Sequence, residues 1–96
     1  MLWTWDENKN RVIKQKHGLS FETARLVFDD PLMAHRADPS ADEERWHTIG
    51  MIRDLIVIVA HTWPEPQPST GIEVGRIISA RKATAHERRA YEEGAF

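Results

Sequence analysis

No cysteine occurs in the 96 residues, which excludes a disulfide framework, a thiolate metal site and a thiol nucleophile, and points to a reducing compartment. Long apolar runs are also missing, and Met1-Leu2-Trp3-Thr4-Trp5-Asp6 lacks the basic start and apolar stretch of a signal peptide. The expectation is a cytoplasmic protein with no membrane contact. There is no glycine-rich phosphate loop, no GxSxG elbow and no Cys/His pair, so nucleotide hydrolysis and acyl transfer lack support. His35, His47 and His86 show no metal-ligand spacing with acids, so no zinc site, metal or other cofactor is expected.

A large excess of one charge is lacking too: the formal charge is −2, which argues against a protein that coats nucleic acid with its whole surface. The distribution is more informative. Residues 9–17 carry Lys9, Arg11, Lys14 and Lys16 with no acid, and residues 76–89 carry Arg76, Arg81, Lys82, Arg88 and Arg89 against Glu87 alone. The acids gather in Asp38-Pro39-Ser40-Ala41-Asp42-Glu43-Glu44. Both basic runs are either solvated helix faces or a binding surface. Four Trp and three Phe give a chain of this length enough large apolar area for one core, hence a single domain over 1–96.

Leu2 to Trp5 reads as a short strand, with Asp6 capping a helix that runs to about His17 and stops at Gly18. Ser20 caps a second helix whose apolar face is Phe21, Ala24, Val27 and Phe28, ended by Asp29-Asp30-Pro31. Three strands follow, at 44–51, 55–63 and 72–80, with an edge strand around Met33 to Ala37. Leu55-Ile56-Val57-Ile58-Val59-Ala60 has no polar alternation, as in a central strand covered on both faces. Three prolines in 64–71 predict a loop without helix or ladder, and Thr84-Ala85-His86-Glu87 is a capping box for a last helix to about Glu93. The expected fold is α+β: an antiparallel meander packed against two N-terminal helices, with a short C-terminal helix.

With Ile52-Arg53-Asp54 at the hairpin tip, the predicted register makes Arg45 and His61 cross-strand neighbours, and a slip of one residue sends them to opposite faces. Arg76 interrupts an apolar run, so it reaches either an anion or an acid such as Asp29 or Asp30. Arg81 and Lys82 precede a helix N-terminus, where they form an anion receptor, unless Arg81 pairs with Glu87. Scission of RNA by its own 2′-hydroxyl needs a base, an acid and donors to the phosphorane, and His, Arg and Lys supply all three. The best-placed histidines are His61 at a strand end and His17 at a helix end. Asp29-Asp30 with an acid of 42–44 is the alternative, a magnesium site.

Trp5-Asp6-Glu7, Lys16-His17-Gly18, Ser20-Phe21-Glu22, Asp30-Pro31, Glu44-Arg45-Trp46, and Arg76 to Thr84 followed by Glu87-Arg88 and Tyr91 resemble the BrnT toxins of type II toxin–antitoxin systems. The likeness runs over nearly the whole chain. It implies a RelE-like fold, a ribonuclease that inhibits translation, and neutralisation by a BrnA-type ribbon-helix-helix antitoxin that alone contacts operator DNA. Two departures are Ile13, where the family often has Asn, and the long proline-rich loop. The site then expected has Arg76 and Arg81 stabilising the phosphorane and His61 or His17 moving protons. Arg45, Lys16, Lys82 and Lys9 would hold the RNA backbone. The rival is a noncatalytic module that uses the same basic face to bind an antitoxin or nucleic acid.

Overall fold

The computed structural model describes residues 1–40 and 42–96, so Ala41, within the acidic stretch, lies outside the described residues. The architecture is α+β: three α-helices and a six-stranded sheet. Strand β1 (Leu2–Thr4) leads into helix α1 (Glu7–His17), started by Asp6, whose carboxylate accepts from the Asn8 and Lys9 amides. Gly18 closes α1 at φ 68°, in the left-handed region that costs glycine little. Helix α2 (Phe21–Ala24) starts at Ser20 and tightens into a 3-10 segment (Arg25–Asp29), so the predicted second α-helix is a single α-turn with a 3-10 continuation. Asn10 ties the two helices: its buried amide donates to Glu7 and Glu22 and accepts from the Phe21 amide.

Strands β2 (Ala34–Ala37), β3 (Trp46–Ile52), β4 (Leu55–His61), β5 (Glu65–Pro66) and β6 (Glu73–Lys82) precede helix α3 (Ala85–Glu93). The sheet order is β1-β6-β4-β3-β2, with β5 pairing β6 to one side. β2, β3, β4 and β6 pair antiparallel in that order, and β1 joins β6 in parallel. The proline loop also differs from expectation. Glu65 and Pro66 form a two-residue ladder with Val74 and Glu73, a position where a proline sits only at a sheet margin.

The hairpin turns over Arg53 and Asp54 alone, with Arg53 at φ 58°, so Ile52 pairs with Leu55 and Trp46 with His61. The register predicted from a three-residue tip is thus one residue out, and Arg45 and His61 point to opposite faces. The face carrying Val57, Val59 and His61 is packed by Leu19, Phe21, Ala24 and Val27. The face carrying Ile49, Ile56 and Ile58 is covered at one end only, by Tyr91 of α3 and Phe96. At β6 a register shift opposite Ala60/His61 skips Ile78, pairing Ile77 with His61 and Ser79 with Ala60. This bulge reverses the alternation. Arg76 and Arg81, five positions apart, therefore share the half-open face, where a regular strand would have opposed them.

His61 is a core residue, 1% exposed, with Trp3 and Phe28 meeting it edge-on. The Thr62 carbonyl can only accept, so His61 Nδ1 donates to it at 2.7 Å and Nε2 accepts from the Thr48 hydroxyl at 2.6 Å. Thr48 Oγ1 in turn accepts from His35 Nδ1 at 2.7 Å. Burial pushes His61 down to about 4, and the neighbouring His35 and His47 act in the same direction, against the Thr62 bond.

Two outcomes follow from this packing. A Cβ at Gly50 would lie 2.9 Å from the Val27 carbonyl oxygen. Gly50→Ala should therefore cost about 1–3 kcal/mol, read as a lower urea midpoint. Between its ordinary value and about 4, His61 is protonated only in the unfolded chain, so acid favours unfolding there. Stability should be full above about pH 6.5 and fall by about 3 kcal/mol toward pH 4. His61→Gln should flatten that decline in urea titrations, and an unchanged slope would show that His61 is not its source.

Candidate functional site, a basic trough across the open sheet face

The strand register sets out the open face row by row, with Ile49 and Ile58 buried under Tyr91 and Phe96 at one end. One row is Arg36, His47, Ala60 and Ser79, and its small members leave a trough floor between His47 and the β6 side. The row on one side is Ala34, Ile49, Ile58 and Arg81. On the other stand Asp38 and Arg45, joined by a backbone bond, with Thr62 and Arg76 joined likewise beyond them. Where the trough reaches β6, a cleft is lined by Asn8, Lys9 and Val12 of α1 with Arg45 and Ser79. Arg36, Arg45, Arg81 and Lys9 thus border one channel, although they come from four separate segments.

His47 sits in the middle. Burial is the chief reason its imidazole is harder to protonate than usual; Arg36, Arg81 and Arg45 add to this, and Asp38 opposes it. Its Nε2 lies 3.5 Å from the Asp38 carboxylate. The result is a neutral, partly exposed imidazole among guanidinium groups, next to a carboxylate that Ser40 holds below the usual carboxylate range. Such a group can accept a proton at neutral pH and be steadied by Asp38 once charged.

Arg81 takes the partner that was its structural alternative: Nη1 and Nη2 donate to Glu87 at 2.7 and 2.9 Å. Glu87 also closes the capping box with Thr84, and these bonds hold its carboxyl down at about 2. The fork fixes Arg81 in place and leaves 44% of its side chain exposed. Arg45 offers a donor as well. Its Nε is buried with no partner among the described residues, an arrangement that costs about 1–3 kcal/mol. Arg76 pairs with Glu43 at 3.5 Å rather than with Asp29 or Asp30, and it stands about 15 Å along β6 from Arg81.

The other predicted residues lie elsewhere. His61 is inside the helix-packed layer, behind the sheet from Arg76 and Arg81, where no polymer backbone reaches it. His17 and Lys16 are at the far end of α1, and Lys82 pairs with Val57 on the helix-packed side. Sequence reasoning missed His47 and Arg36. The signal was present in the alternation of β3, but the one-residue register error gave His47 the wrong neighbours. Asp30 is engaged by the Tyr91 hydroxyl at 2.5 Å and by the Met51 and Leu32 amides, so it is a structural acceptor. Among the described residues no three His, Asp or Glu side chains come together as a cation site, and no helix is long and apolar enough to cross a membrane.

None of the curated proteins matches the chain. A family model described as "Ribonuclease toxin, BrnT, of type II toxin-antitoxin system" matches residues 5–87. That span takes in strands β2 to β6 and the trough, with every motif residue named above except Arg88 and Tyr91. The chain belongs to the BrnT family of ribonuclease toxins of type II toxin–antitoxin systems.

Proposed function

We propose that the trough is the active site of a metal-independent endoribonuclease with a RelE-like fold, one domain over 1–96, acting in the cytoplasm to inhibit translation. The observation that carries the reading is the neutral His47 set among Arg36, Arg45 and Arg81 above the small residues Ala60 and Ser79. His47 takes the proton of a ribose 2′-hydroxyl, and the oxygen attacks the adjacent phosphorus. The bond to the 5′ oxygen breaks, giving a 2′,3′-cyclic phosphate, and the leaving oxygen takes the proton back from the imidazolium.

Arg81, oriented by Glu87, and the guanidinium of Arg45 stabilise the phosphorane charge. Arg76 and Lys9 grip phosphates on either side of the scissile one, because both stand away from His47 along the RNA path. The proton role expected of His61 or His17 passes to His47. Lys16 and Lys82 lie off this path, so any backbone contact they make is outside the trough. A BrnA-type ribbon-helix-helix antitoxin neutralises the toxin and carries the complex to operator DNA.

Incubation of the purified chain with labelled RNA tests this reading. His47→Ala should slow cleavage about 10²–10³-fold with the thermal midpoint nearly unchanged, and Arg81→Ala by a similar factor with a lowered midpoint, because it also removes the Glu87 pair. Arg76→Ala should act mainly by weakening RNA binding. Cleavage should survive EDTA. Loss with chelator would overturn the metal-independent mechanism, and RNA that is retarded but uncut would favour the noncatalytic binding module.

A further inference from the structure

On the other face of the sheet, a cavity of about 150 Å³ opens beside the outer strand β2. Its walls include Trp3, Phe28, Met33, His35, His61 and Trp63. Trp3 stacks on Phe28 at 4.1 Å, and His35 meets Trp63 edge-on at 5.2 Å. Both His61 nitrogens are already engaged, by Thr48 and Thr62, so His61 presents only carbon to the space. His35 spends Nδ1 on Thr48, which leaves its Nε2 as the one imidazole nitrogen still available. A space this size with apolar walls accepts about one benzene-sized group. A nucleobase would bury several polar edge atoms there without partners.

The adjoining strand is open. β2 pairs with β3 alone, and its outer edge has no strand among the described residues. The Asp38 amide donates to the Arg45 carbonyl, so Arg36 also faces inward, and the alternation turns the N–H and C=O of His35 and Ala37 outward. His35 therefore belongs to both features: its backbone lies on the free edge and its ring lines the cavity. Just past β2 stand Asp38, Asp42, Glu43 and Glu44, an acidic end that favours a basic neighbour.

We propose that the antitoxin docks here, adding an extended segment to the free edge of β2, placing one leucine- or phenylalanine-like side chain in the cavity and setting basic residues against Asp38 to Glu44. The inference rests on the toxin–antitoxin reading. Docking here would also reach the rim of the trough, because Asp38 stands by His47 and Glu43 meets Arg76. Main-chain bonds at His35 and Ala37 supply attachment, and the single anchor in its aromatic cavity fixes the register.

The experiment uses the full chain and a purified BrnA-type ribbon-helix-helix antitoxin. Amide exchange should slow at His35 and Ala37 in the complex. Ala37→Pro removes only an outward N–H, so the ladder to β3 survives; it should lower antitoxin affinity about 10-fold or more while RNA cleavage continues at the parental rate. Met33→Trp, which fills the cavity, should weaken binding to a similar degree. Unchanged affinity in both variants, or protection of these amides by RNA instead of antitoxin, overturns the inference. If Ala37→Pro does not fold, amide exchange on the unaltered chain decides. A parent chain that binds antitoxin at β2 but leaves RNA intact sinks the catalytic reading alone.

Discussion

The arrangement of the open face depends on the bulge that leaves Ile78 outside the β4–β6 register. Without it, the odd spacing between Arg76 and Arg81 would put one guanidinium among the core residues beneath α1 and α2, at a desolvation cost of several kcal/mol. With it, Ile77 stays in the core, both arginines face outward, and Ser79 falls beside Ala60 where the floor must be low. One extra residue in one strand thus lets a core run and a binding run occupy the same strand.

Carboxylates organise the cations around that floor. Glu87 holds Arg81 from the first turn of α3, Asp38 stands by His47, and Glu43 meets Arg76. The chain is therefore slightly acidic overall while its trough is basic, because the acids sit at the rim as positioning partners. The Arg81–Glu87 pair has two parallel bonds with a half-buried acid, whereas the Arg76–Glu43 contact is long and open to solvent. Only the first is built to fix a geometry.

Local chemistry was the legible part of the fold. Asp6, Ser20 and the Thr84/Glu87 box sit where helix starts demand them, and Gly18 and Gly94 end helices in the left-handed region. The buried run at Leu55–Ala60 read correctly as the central strand for want of any polar alternation. Pairing was less legible. The hairpin turns through a left-handed Arg53 rather than the Asn or Gly that marks a two-residue turn, so no residue there signalled its length. The parallel pairing of β1 with β6 joins residues about 70 positions apart, and only Gly75, over which the Trp3 ring lies, hints at it. The reading of the trough suffered from the same error: Lys9 stood out by charge and Arg81 by its place before a helix start, while the neighbours of Arg45 and the choice among histidines needed the register.

Helix α3 has a different standing from the rest of the molecule. It is nine residues long with none of them buried, and it is fastened by Tyr91 on Asp30, by Glu87 on Arg81, and by the packing of Tyr91 with Phe96 behind it on the sheet. A segment that short has almost no helicity of its own in water. It should detach in excursions far cheaper than global unfolding, briefly baring Ile49 and Ile58. Local opening of the molecule should thus begin at α3 rather than in the sheet.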